Sequence, residues 1–185
     1  MVSLASLWLP ILVAAVAVFI ASSIIHMATP WHHGDFGAVP DQARVLDALR
    51  SFNIQPGDYV VPRPSSRKEG ASPEFAALAK RGPMVAMTVL PGEVVIAKNL
   101  ALWFVYCIVV ALCAAYIAGA ALPPGAAAKK VFQFAGATAF IGFALGLWQQ
   151  TIWYSRSWVT TLKSTIDGLV YGIVIAGVFA WLWPQ

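Results

Sequence analysis

Charge is what this chain has least of. Only 11% of its 185 residues are Asp, Glu, Lys or Arg, whereas a soluble domain carries about 25%. So few polar groups could not cover the chain's own surface in water. With 59% hydrophobic residues gathered into blocks, the composition is that of a membrane protein. Cysteine is scarce too. Cys107 and Cys113 stand six residues apart in one apolar run, which on a helix turns them roughly 120° from each other, so they are not expected to pair. The polar segment has no cysteine and reveals nothing of its redox compartment. No G-x-x-x-x-G-K-[ST], H-E-x-x-H or G-x-S-x-G occurs, which sets aside P-loop, zincin and α/β-hydrolase chemistry. Of the three histidines only His26 can lie in an apolar helix, so a haem held by two helical histidines of one chain is excluded.

The few charges are concentrated. Fifteen of the twenty lie between Asp35 and Lys98, and acids nearly balance bases there. The net charge of +4 and pI near 9.3 therefore do not point to nucleic acid, and no nucleic-acid partner is expected. A membrane protein acquires such a pI from Lys and Arg flanking the lipid.

Four apolar runs remain, about Leu7–Ile25, Leu100–Leu122, Val131–Trp153 and Ile166–Trp183. Each has roughly 18 to 23 residues, and about 20 suffice to cross a hydrocarbon core of ~30 Å. Trp8, Trp103, Trp153, Trp158, Trp181 and Trp183 fall near their ends, as an aromatic belt would. The first run has no basic n-region and exceeds a usual signal-peptide core, so it is read as a retained helix. The expected fold class is an all-α membrane protein: four transmembrane helices, with a small α+β extramembrane cap between helices one and two. The boundaries are 1–27 for helix one, 28–97 for the cap and 98–185 for helices two to four.

Within the cap, Val45, Leu46 and Leu49 share a helical face after Pro40-Asp41. Ser72-Pro73 opens a second helix and Gly82 stops it. Asp58–Pro62 and Met84–Leu90 read as strands, and Pro91-Gly92 turns the chain into Glu93–Ile96. Ser65-Ser66-Arg67-Lys68 reads as a solvated loop. A cap of this size is marginal alone and is expected to rest on the membrane helices or on a partner. Lys129 and Lys130 favour a cytoplasmic loop between helices two and three. Both termini are then inside, and the cap is on the periplasmic face of a bacterial inner (cytoplasmic) membrane.

Two constellations stand out. Gly142 and Gly146 in helix three, and Gly168 and Gly172 in helix four, recur at four-residue spacing, as do Ala111, Ala115 and Gly119 in helix two. Small-xxx-small spacing lets helix backbones approach, within one bundle or between copies. Polar residues collect at the helix ends below the cap: His26, Gln149, Gln150, Arg156, Lys163 and Asp167. Counting about 1.5 Å per residue from the far ends leaves no charge at the bilayer midplane, which disfavours a carrier with a buried coupling carboxylate. Asp167 is expected in the early turns of helix four, favoured by the helix dipole and paired with Lys163 or Arg156. His26, His32, His33 and Asp35 form a candidate site for a transition metal such as zinc, copper or iron, since Pro30 and Gly34 could fold the chain back to make the four converge. The plainer reading puts these amphipathic rings in the headgroup layer.

His26-Met27, Pro56-Gly57-Asp58-Tyr59, Ser72-Pro73-Glu74, Trp148-Gln149, Ile152-Trp153-Tyr154 and Asp167-Gly168-Leu169 together resemble a family of uncharacterised bacterial inner-membrane proteins. The resemblance covers most of the chain and implies a bacterial membrane setting, but supplies no catalytic residues. The leading functional expectation is a non-catalytic accessory or scaffold subunit, in contact with the lipid bilayer and with a membrane-protein partner or a second copy of itself. The rival is a metal- or small-molecule-binding membrane enzyme using the polar cluster under the cap.

Overall fold

A computed structural model describes all 185 residues. The chain divides into two compact units. One is Met1–Gly37 with Ile96–Gln185; the other is Ala38–Val95. The expected cap boundary at residue 28 thus moves to residue 38, because the residues after the first span are bonded to the bundle.

The first span, Leu4–Ala28, opens with a 3-10 turn at Leu4–Leu7 whose Ser3 cap accepts from the Ser6 amide. It continues as α1, Trp8–Ser23. Pro10 sits in the first turn, where a missing N–H costs nothing. The span ends in a widened π turn, Ile24–Ala28.

In the second unit, Asp41 caps α2 (Gln42–Ser51) by accepting from the Arg44 amide. β1 (Gly57–Val61) is followed by a helical turn, α3 (Arg67–Gly70), capped by Ser66. The basic stretch expected to be a plain loop therefore forms this capped turn. In α4 (Pro73–Arg81) the Ser72 hydroxyl accepts from the Phe75 amide, Pro73 opens the first turn, and Gly82 at φ +59° ends it. β2 (Val85–Val89) pairs antiparallel with β1 in the register Tyr59 to Met87. Glu93–Val95 forms no strand; the next helix begins directly after it.

The remaining spans are α5 (Ile96–Ala121), α6 (Ala128–Ala144) continued through a 3-10 turn into α7 (Trp148–Tyr154), and α8 (Trp158–Trp181). All four spans are long and apolar enough to cross a membrane. They form a ring in which α1 touches α5 and α8, and α6 touches the same two. The fourth span starts eight residues before its expected start at Ile166, because Ser157 caps it by accepting from the Thr160 amide.

Lipid tails are as apolar as leucine, so these helices are held by close packing. A Cβ added to Gly168 would lie 2.8 Å from Ala144 Cβ, and one on Gly172 would lie 3.1 Å from the Gly136 carbonyl oxygen. Gly142 faces Val110 at 3.2 Å. Gly146 is different: a Cβ there would meet nothing within 4 Å, so the close contact expected of it is not made. The α6–α8 seam is completed instead by Gly136, whose Cβ would lie 2.9 Å from Ala176 Cβ. Gly119 lets α5 meet the chain start, where the Val2 amide donates to the Gly119 carbonyl at 2.8 Å. At this same pole the Gly125 amide donates to the Pro184 carbonyl, and the Trp183 indole donates to the Pro123 carbonyl. Residue 2, the α5–α6 loop and residues 183–184 therefore share one end of the bundle.

Candidate functional site

The opposite end is polar. The π turn carries His26, and the Thr29 hydroxyl closes it by donating to the Ile25 carbonyl. Pro30 prevents the helix from continuing. Two tight turns come next, in which the His33 amide donates to the Pro30 carbonyl and the Asp35 amide to the His32 carbonyl. They fold residues 29–37 into an elbow against α8. Turns of the π type are rare and cluster at functional sites.

One connected chain of polar side chains results. Lys163 Nζ donates to Asp35 Oδ1 at 2.8 Å, and His32 Nδ1 lies 2.6 Å from Asp35 Oδ2. His32 Nε2 lies 2.8 Å from Asp167 Oδ2, and the Trp31 indole donates to Asp167 Oδ1 at 3.1 Å. The Lys163 ammonium also stands 5.6 Å over the Trp31 ring, in cation–π range. The His26 ring stacks on His32 with centroids 4.2 Å apart, and its Nε2 lies 3.4 Å from the Tyr171 hydroxyl. Asp167 is only 5% exposed, yet both of its oxygens are partnered. Buried carboxylates are tolerated only on that condition.

Both carboxylates face one imidazole. One carboxylate oxygen stands at each ring nitrogen of His32. The Lys163 ammonium, and after it His32, hold the Asp35 carboxyl below the usual carboxylate range.

Asp167 departs from expectation in two respects. It is the tenth residue of α8, roughly 13 Å into the helix, so the dipole at the helix start does not explain it. Its partners are His32 and Trp31, while Lys163 pairs with Asp35 and the exposed Arg156 makes no ion pair. Of the four residues expected around a metal, His33 is exposed and stands apart, and Asp35 is already held by Lys163. The groups that converge are His26, His32 and Asp167, with ligating atoms all within 4.8 Å of one another. Gln149 is exposed and outside this cluster. Gln150 and Arg156 line a hollow of about 220 Å³ that Asp35 also borders. A second hollow, about 280 Å³ and largely apolar, lies between α1 and α5 and is bordered by His26, Ser22, Asn99 and Trp103.

Trp31 and Tyr171 were not singled out by sequence. One signal for Asp167 as the histidine partner was present: it is the only acidic residue after Glu93. No family model, curated protein or solved structure matches the chain.

Proposed function

We propose that this chain is a non-catalytic accessory subunit of a bacterial inner-membrane assembly, with its cap in the periplasm and covered there by a protein partner. The observation that carries the reading is that no residue from Ala38 to Val95 is buried. Val45, Leu46 and Leu49 form an apolar face on α2 and are 38%, 48% and 39% exposed; Phe52, just beyond, is 71% exposed. Ordering a backbone costs about 1–2 kcal/mol per residue, and a unit without a core has little apolar burial to offset it. A surface outside the unit must supply the burial. Seven basic residues face six acidic ones between Ala38 and Val95, so anionic headgroups exert little pull on the cap, which favours a protein as the cover. The elbow latched to α8 supports the reading by fixing the chain where it leaves the bundle. Lys129 and Lys130 support a cytoplasmic loop at the opposite pole, and the family resemblance supports a bacterial membrane.

A photo-crosslinking residue in place of Leu46 or Leu49, activated in native membranes, tests this. Adducts to a second polypeptide that copurifies with the chain are expected. Adducts only to lipid or within the chain would overturn it. Metal or small-molecule binding at the polar pole is favoured by a separate observation, the convergence of His26, His32 and Asp167.

A further inference from the structure

The geometry points to a binding site for one divalent first-row transition ion, zinc or ferrous iron in chemical class, formed by His26, His32 and Asp167. It stands apart from the partner proposed for the cap, since all its residues lie in the membrane unit.

Two imidazoles and a carboxylate are a donor set that suits zinc and iron. Metal–ligand bonds of about 2.0–2.2 Å place donor atoms of one shell about 3 to 3.5 Å apart. His32 Nε2 and Asp167 Oδ2, 2.8 Å apart, are already near that spacing. The third donor lies within 4.8 Å. His26 is exposed, at the end of its span, and can close the gap by rotating out of its stack on His32.

The groups behind these donors make this more than a coincidence of three side chains. A metal-bound histidine commonly gives its other ring N–H to a carboxylate, which fixes the tautomer and aims the free nitrogen. Asp35 stands in that place on His32 Nδ1, and Lys163 holds Asp35 in turn. The Trp31 indole occupies Asp167 Oδ1 and leaves Oδ2 on the side of His32. With a neutral His32, the two carboxylates and Lys163 leave one negative charge to meet the cation. Three protein donors also leave coordination positions open, and His26 borders the 280 Å³ hollow from which a further ligand could enter.

The test uses the full chain with a histidine-free affinity tag, purified in detergent, stripped with chelator and titrated with Zn²⁺ and Co²⁺. Bound metal per chain and the visible Co²⁺ spectrum are read. Wild type and His33→Ala should each bind about one ion per chain, and His26→Ala and Asp35→Asn should bind about tenfold or more weakly. His26 lies outside the ion-paired chain, so its variant should keep the wild-type unfolding temperature. No stoichiometric binding by wild type, or equal binding by the His26→Ala and His33→Ala variants, would overturn the site.

Discussion

The imidazole of His32 lies between two carboxylates, 2.6 Å from Asp35 and 2.8 Å from Asp167, and so ties the elbow after the first span to the middle of α8. The arrangement holds two segments with a single ring. Lys163 forms an ion pair with Asp35 alone, so removing Asp35 leaves the ammonium without one.

That dependence can be measured. Asp35→Ala should lower stability by roughly 2–3 kcal/mol, the cost of leaving partly buried charged groups without partners. Lys163→Met in the Asp35→Ala background should cost much less than in wild type. Thermal unfolding of the four proteins in detergent closes the double-mutant cycle. A coupling below about 0.5 kcal/mol would mean that the two side chains are merely neighbours.

The same pair sets an acid limit. The Asp35 carboxyl is held below its ordinary value of 3.8, so the folded state favours the ionised form. Its contribution is complete above that ordinary value and is lost as pH falls through the lower folded value. Unfolding midpoints of metal-free protein, measured from about pH 6 to about pH 3, should fall more steeply for wild type than for Asp35→Asn. Parallel curves would rule this out.

Glycines separate into two kinds by what a side chain would strike. Gly168→Leu and Gly172→Leu push against Ala144 and against the Gly136 carbonyl and Phe140, and should destabilise by roughly 1–3 kcal/mol. Gly146→Leu meets open space and should stay within about 0.5 kcal/mol of wild type. Matching losses at Gly146 and Gly172 would contradict this seam.

Local chemistry was legible in the sequence and long-range pairing was not. Ser72, Pro73 and Gly82 announced α4 because cap, first turn and stop each act within a few residues. The four spans were readable from apolar run length alone. Hydropathy places the start of α8 too late because Thr160, Thr161, Lys163 and Ser164 dilute the hydrophobic signal, although Ser157 supplies an ordinary cap. Gly146 shares its spacing with Gly142 but not its neighbour, since the helix changes to a 3-10 turn at Leu145–Leu147 and its face rotates. Closeness along the chain groups His26 and His32 with His33 and Asp35. His33 adjoins His32 but is exposed, while Asp167 arrives from 135 residues away, and periodicity carries no information about such a meeting.

Sidedness gives a fourth test. Single cysteines at Ser66 and Ala127, after removal of Cys107 and Cys113, should differ in reaction with an impermeant reagent on intact cells. Ser66 should label and Ala127 should not. Labelling of both would remove the four-span arrangement.

The π turn at Ile24–Ala28 has a consequence of its own. It holds one residue more than an α-helical turn, a spare that the first span absorbs at its end. With that spare already used, one further residue inserted before the turn could not be absorbed and would swing the downstream chain by about 100°. His26 would leave the ring of His32 and the hydroxyl of Tyr171, while the span kept its length and hydrophobicity almost unchanged. The span would still fit the membrane, but the phase of its last turn would be wrong. A one-residue insertion before this turn thus separates insertion into the bilayer from assembly of the polar pole, which substitution of the polar residues themselves cannot do.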